Sequence, residues 1–169
     1  FISAEDHRFY SHPGVDVLAV LRAVKSNLTK GHIVSGASTL TQQLSRLTYP
    51  RKRTYHDKLV EIIRSLRIES LLDKEQILEL YLNKVPLGNN LVGVKAGSMV
   101  YFGKSLSRLT TSEAALLASL PKAPGKLNPY GRNAPLLFER KNWVLKKMHI
   151  NGHIGSDTLN GSLKDAPIL

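Results

Sequence analysis

Apolar residues recur along this chain three or four positions apart, the spacing of one face of an α-helix. Val17, Val20, Leu21, Val24 and Leu28 form a first stripe, with Asp16 standing where an N-cap belongs. Leu40, Leu44 and Leu47 form a second, behind Gly36 and Ser38. Leu59, Ile62, Ile63 and Leu66, extended to Ser70, mark a longer third. Asp73 caps a fourth helix with Ile77, Leu78, Tyr81 and Leu82 turned inward, and Pro86 and Gly88 end it. Val94 to Tyr101 predicts a fifth, stopped by Gly103. Thr111 opens a sixth that runs to Pro121, and Thr111 with Ala114 is a near miss for a capping box. Pro135 to Met148 predicts a last amphipathic helix carrying Leu137, Trp143, Val144 and Met148. No alternating strand of useful length stands out, so the fold class is mostly α.

The punctuation between these stripes is equally uneven. Lys30 to Ser35 is expected to be a mobile loop. Residues 121–133, with three prolines and two glycines, predict an irregular wrapped segment. Thr158 to Leu169 is polar and carries Gly, Ser and Asn, which predicts an exit linker. The expected organisation is one domain over residues 1–150 and a C-terminal extension or linker over 151–169.

Composition changes this picture little. With 169 residues, 42% of them hydrophobic and 22% charged, the chain suits one domain with a real core. No apolar run approaches the roughly 18–20 residues that cross a bilayer, and no signal-peptide pattern opens the chain. Phe1-Ile2-Ser3-Ala4 reads as the interior of a longer protein whose upstream part is missing. The absence of cysteine excludes disulfides and thiolate metal sites.

Charge does more. Twenty-four Lys and Arg against 13 Asp and Glu give a net charge of +11. Such a surface seeks phosphate groups or anionic lipid. Nucleic acid is the rival partner. It is not expected, because the aromatics do not alternate with the basic residues and no zinc finger or RNA-binding motif appears.

Candidate chemistry gathers in a few blocks. Glu5, followed by Asp6 and close to Phe9 and Tyr10, is the first choice for a general base. Aromatic neighbours would desolvate its carboxylate, although a lone Glu near a helix end is usually surface. Adjacent residues point apart, so Asp6 is expected to hold the local turn or a cation. His12, in His-Pro-Gly, reads as a structural corner ahead of a base or ligand. His7, His32, His56, His149 and His153 lack metal-site spacing.

Ser38, Thr39, Gln42 and Gln43 open a helix, where free amides and the dipole favour an anion. A diphosphate and sugar hydroxyls suit them; so does a plainly capped helix with polar side chains, and spacing does not separate the two. Thr39, Gln43 and Arg46, at i, i+4 and i+7, share one face. Lys58 and Glu61, three apart, are either an exposed pair of little energetic worth or a phosphate-contacting lysine with its acidic orienter. Arg53 is a further cation for that role. Glu79 and Asn83, at i and i+4, are expected to line one side of a cleft, against the alternative of ordinary helix surface.

Taken in order, these blocks resemble the peptidoglycan glycosyltransferases of glycosyltransferase family 51, over residues 1 to about 150. Glu5 to Gly14 matches the first motif, Gly36 to Gln43 the second, and Lys58 with Glu61 the third. Glu79, Tyr81, Leu82, Asn83 and Gly88 match the fourth. Tyr101 to Lys104, Glu113 to Ala118, Pro121, Pro124, Asn128 and Pro129 look like the fifth. There are departures: Arg46 stands where the family usually has Lys, and Asp57 precedes Lys58 where it usually has Arg. The Arg46 context looks closer to the penicillin-binding protein 1C branch.

The resemblance implies a lysozyme-like helical domain with a larger head lobe and a smaller membrane-proximal jaw, to which Val15 to Leu28 and the loop after it would belong. It implies polymerisation of lipid II at the outer face of the bacterial cytoplasmic membrane, towards the periplasm or cell exterior. Glu5 would be the catalytic base and Glu79 a second catalytic carboxylate that orients or holds a cation. Asp6, Ser38, Thr39, Gln42, Gln43, Arg46, Arg53, Lys58, Glu61 and Asn83 would bind substrate. Lys58, Arg46 and a divalent cation such as Mg²⁺ would neutralise the departing diphosphate. Lipid II, the growing glycan strand, the membrane and other cell-wall synthesis proteins are the implied partners. A glycan-cleaving hydrolase or lytic transglycosylase, which also needs one acidic catalyst, is the alternative enzyme. A nonenzymatic basic helical module is the third possibility.

Overall fold

Nine α-helices form among the residues that the computed structural model describes, which are 1–30, 38–50, 52 and 54–167. They are α1 (Ile2–Glu5), α2 (Val17–Lys30), α3 (Leu40–Thr48), α4 (Tyr55–Leu71), α5 (Lys74–Lys84), α6 (Val94–Phe102), α7 (Thr111–Ser119), α8 (Ala134–Ile150) and α9 (Ser156–Lys164). Among the described residues there is no strand, only an antiparallel bridge between Pro86 and Val92. The mostly α expectation holds. Residues 31–35 of the predicted loop, Gly36, Arg51, Arg53 and the side chains of Val24 and Leu28 lie outside the described residues, and Lys30 ends α2. No described helix is long and apolar enough to cross a membrane.

The chain divides into two compact units, one of Ile2 with Ala4–Tyr81 and one of Phe1, Ser3 and everything from Leu82 onward. In the first, α3 packs on α4. Both start on a threonine: Thr39 and Gln42 form a complete capping box on α3, and the Thr54 side chain accepts from Asp57 N on α4. Asp16 accepts from Ala19 N at 2.7 Å, as a helix cap should, and Asp73 caps α5 through Gln76 N at 2.8 Å. Leu40, Leu44, Ile77 and Tyr81 are buried together with Phe9.

Two predicted stripes point the other way. Val17 and Leu21 on α2 are 62% and 60% exposed, and Leu59 and Ile63 on α4 are both 57% exposed. Helical spacing identifies an apolar face but not what covers it.

The second unit is a conventional core. Helix α7 packs on α6, α8 and α9, and Leu116, Leu117, Leu120, Leu137, Val144 and Leu145 are buried. Gly97 permits the closest approach: a Cβ there would sit 2.4 Å from Leu87 Cδ1. The capping box of α7 falls one residue earlier than predicted, on Thr110 with Glu113 rather than Thr111 with Ala114. Trp143, placed by its spacing on the inner side of α8, is 38% exposed, and the Arg140 guanidinium lies 3.8 Å from its ring centroid.

The exit linker predicted from Thr158 is replaced by α9. Lys141 explains why this weakly helical segment folds. Its buried Nζ donates to Asp165 O at 2.6 Å, Ser162 O at 3.2 Å and Ser112 Oγ at 3.2 Å, capturing carbonyls at the C-terminal end of α9. Burial lowers the Lys141 pKa, and Asp165 partly offsets this.

Candidate active site

Glu5, Asp6, Gln43, Arg46, Lys58, Glu61 and Tyr81 all lie in the first unit, and α3 is their axis. Glu5 ends α1 and is half-buried. Gln43, one turn into α3, donates from Nε2 to Glu5 Oε2 at 3.0 Å. Tyr81 on α5 donates its hydroxyl to Gln43 Oε1 at 3.3 Å. Burial raises the Tyr81 pKa far above its ordinary value, and the Glu5 charge adds to this. The hydroxyl therefore keeps its proton and remains a donor. A donor on the Gln43 oxygen turns the amide nitrogen towards Glu5. The carboxylate is thus held by a side chain that is itself held.

Asp6 points the other way, as adjacent residues must. Its buried carboxylate accepts from Leu40 N at 2.9 Å, an unpaired amide of the first turn of α3, and from His12 Nε2 at 2.9 Å. Gly14 N donates to His12 Nδ1 at 3.2 Å, so the ring proton sits on Nε2, facing Asp6. His12 is the structural corner that the sequence favours. Gly14 has φ +88°, and a Cβ there would lie 2.9 Å from Glu69 Cγ and 3.0 Å from Ser65 O, so only glycine fits this turn. Thr39 Oγ1 donates to Gly14 O at 2.6 Å and closes the corner onto α3.

Thr39 and Gln42, predicted to contact a ligand, are buried and close the capping box, while Thr39 Oγ1 also reaches Gly14 O and Gln42 Oε1 also accepts from Lys58 Nζ. Both cap the helix, and Gln42 also faces the cationic group. Asp6 is spent on internal contacts. Ser38, Gln42 and Gln43 are the members of the polar cluster that reach the acids and cations of the site.

A second group of side chains forms beside α3. Lys58 Nζ donates to Glu61 Oε1 at 2.5 Å, Ser38 Oγ at 3.1 Å and Gln42 Oε1 at 3.3 Å. Arg46 Nη1 reaches the other Glu61 oxygen at 3.4 Å. Glu61 therefore stands between two cations on different helices, which is more than the isolated surface pair that its spacing allows. Ser38, Arg46, Lys58 and Glu61 line a cavity of about 770 Å³ together with Ser45, Tyr49, Lys52, Thr54, Tyr55, Asp57 and Arg64. Four cations face two acids there, so the cavity favours an anion.

Glu79 is exposed on α5 and, among the described residues, has no hydrogen bond or ion pair. It does not join the Glu5–Gln43–Tyr81 chain. Asn83 is also exposed and falls in the second unit. Among the described residues no group of three His, Cys, Asp or Glu side chains can hold a metal ion.

One set of positioning residues escapes sequence reasoning. Glu69 accepts from Thr41 Oγ1 at 2.5 Å and from Lys74 Nζ at 2.7 Å, and Lys74 also donates to His12 O at 2.6 Å. Lys74 Nζ lies 4.6 Å from the Phe9 ring centroid. This pair ties the His12 corner to α3, α4 and α5. Its partners are 28 and 62 residues apart, so no local spacing reveals them.

A family model described as Transglycosylase matches residues 1–149. Penicillin-binding protein 1A of Escherichia coli strain K12 is 47% identical over 156 residues, covering 91% of this chain and 18% of that protein. Penicillin-binding protein 1C of the same strain is 44% identical over 151 residues, covering 89% of this chain and 20% of that protein. The two identities are too close to assign the chain to the 1C branch. The crystal structure of penicillin-binding protein 1A from Haemophilus influenzae superposes with a TM-score of 0.52 at 34% identity, over 75% of this chain and 16% of that one. The chain spans about a fifth of the length of the penicillin-binding proteins it matches. With the model spanning nearly all of its helices, and relatives at this level of identity, the chain belongs to the transglycosylase family.

Proposed function

We propose that this domain is a peptidoglycan glycosyltransferase that polymerises lipid II into β-1,4 glycan. Glu5 takes the proton of the 4-hydroxyl on the acceptor GlcNAc. The freed oxygen attacks C1 of the donor MurNAc and inverts it, and undecaprenyl pyrophosphate leaves. A diphosphate leaves readily once its charge is met, so it needs cations more than a proton. Lys58 and Arg46 supply them. Glu61 keeps the two apart and ready, and is displaced in part by the incoming diphosphate. Glu79 then orients substrate rather than protonating the leaving group, and Arg53 is a further cation for the diphosphate. A divalent cation such as Mg²⁺, when bound with the diphosphate, would share in that neutralisation.

One observation carries this reading: α3 bears both the residue that holds Glu5 and residues of the cationic cavity. A glycan-cleaving enzyme needs the carboxylate but has no use for a diphosphate cavity. The exposed Val17, Leu18 and Leu21 on α2, with the +11 charge, suit a position on the outer leaflet of the cytoplasmic membrane.

The test is polymer formation from labelled lipid II. Glu5→Gln should lose activity by about 10²–10⁴-fold, the range for a general base. Wild-type polymerisation by Glu5→Gln removes the proposal. Release of cleaved glycan from finished strands, without polymer growth, would favour the hydrolase.

A further inference from the structure

The cationic cavity extends past the residues given a role so far. Tyr49, Lys52 and Arg64 line it as well. The Arg64 guanidinium lies over the Tyr49 ring, 4.5 Å from its centroid. That stacking fixes the plane of the group and leaves its N–H edges to donate. Arg46 and Lys58 share the two oxygens of Glu61, whereas Arg64 has no carboxylate within ion-pair distance among the described residues. It is a half-buried cation, pre-set on an aromatic and not neutralised.

Its place on α4 is equally specific. Arg64 follows Glu61 by three residues and Asp57 by seven, so all three share a face. Helical side chains lean towards the N-terminus of their helix, which inclines Arg64 towards Glu61 and Lys58. At the other end of this face Asp57 is an acid, engaged with the Thr54 hydroxyl at 2.7 Å. Any further positive contact on this face of α4 must therefore come from beyond Glu61.

We propose that Arg64, held on Tyr49, is an additional ligand for phosphoryl oxygen in this cavity and grips the diphosphate of the substrate alongside Lys58. This rests on the diphosphate reading given above. The planar fork supplies paired donors that a lysine cannot. Its effect falls mainly on substrate affinity, because Arg64 meets a charge present before the reaction as well as during it.

The experiment measures KM for lipid II and inhibition of polymerisation by inorganic pyrophosphate, on the full chain. Pyrophosphate carries no peptide, so it separates phosphoryl contacts from contacts to the carboxylates of the substrate's peptide. Arg64→Ala should raise both KM and the inhibitory pyrophosphate concentration about tenfold, the weight of one charge-assisted contact, with kcat changed far less. Arg64→Lys should recover only part of this. Tyr49→Phe, which keeps the ring, should match wild type, and Tyr49→Leu should weaken pyrophosphate about threefold, as loss of an exposed cation–π contact would. Wild-type pyrophosphate inhibition of Arg64→Ala overturns the assignment, even if KM for the peptide-bearing substrate rises. Lys58→Ala separates the two levels. If it weakens pyrophosphate and Arg64→Ala does not, only the Arg64 role fails. If neither does, the diphosphate cavity itself fails.

Discussion

From Leu82 onward the interior is filled by Leu116, Leu117, Leu120, Leu137 and Leu145. Before Tyr81, much of the buried space is taken by Asp6, His12, Thr39, Thr41, Gln42 and Ser45, while Val17, Leu21, Leu59 and Ile63 face outward. The later unit is held mainly by apolar packing, with the Lys141 contacts to α9 as a polar exception. The other is held largely by directional contacts among polar groups. Packing tolerates small shifts and substitution by similar volumes, whereas a hydrogen-bonded network allows one arrangement and penalises any missing partner. The carboxylate and the cations stand in the unit where geometry is fixed most strictly. This is where a reaction that depends on placing a base and a diphosphate should be found.

The contrast can be broken at its strongest point by emptying the second unit's core. Leu116→Ala should cost about 2–5 kcal/mol through lost burial and the cavity left behind. Denaturant unfolding checks this, and the variant should polymerise normally while folded. A loss below about 1 kcal/mol would mean the site collapses freely.

Breaking the polar network should look different. Lys74→Met leaves Glu69 without its cation and should cost about 3 kcal/mol, as removal of one partner of a mostly buried pair does. Adding Glu69→Leu should recover part of that stability without recovering full polymerisation, because the His12 corner is no longer tied to α4. Recovery of both would make the pair purely structural.

A smaller change sharpens the link to chemistry. Tyr81→Phe deletes the donor that orients Gln43 and should lower kcat about fivefold, the worth of one ordinary hydrogen bond. Stability should fall by about 1 kcal/mol, since the ring stays in place but Gln43 Oε1 loses its donor. Steady-state kinetics with lipid II reads the effect.

The mildest prediction concerns acid. Arg8 hydrogen-bonds Asp16 and holds its carboxyl below the usual range; burial opposes this, and the Ala19 amide adds to it. A depressed folded pKa gives stability that is present above the ordinary carboxylate range and is lost as pH falls through the folded value. Asp16→Asn should therefore flatten part of the acid-side loss of stability measured by thermal unfolding, and leave the neutral-to-alkaline side unchanged in slope.

How much of this was legible in the sequence follows from the range of each interaction. Helices α2 to α8 announce themselves through spacing and caps that act within four residues. The carboxylate, the lysine and the Gly36 to Gln43 block are visible because they fall in ordered motifs. The partners that position them are not. Thr41, Glu69 and Lys74 meet only in the folded chain, and each alone reads as helix surface. Helix α9 was missed for the same reason. Asn160 and Gly161 argue against a helix locally, and Lys141, some twenty residues upstream, supplies the carbonyl contacts that outweigh them. The outward face of α2 is a different case: its stripe is legible, but periodicity does not say whether protein or membrane covers it.

The most direct test separates binding from turnover in two variants of the full chain. Glu5→Gln should bind lipid II as the wild type does and form no polymer, while Lys58→Ala should bind it weakly. Equal polymer yield from Glu5→Gln and the wild type, or undiminished binding by Lys58→Ala, would contradict the joining of base and cation through α3.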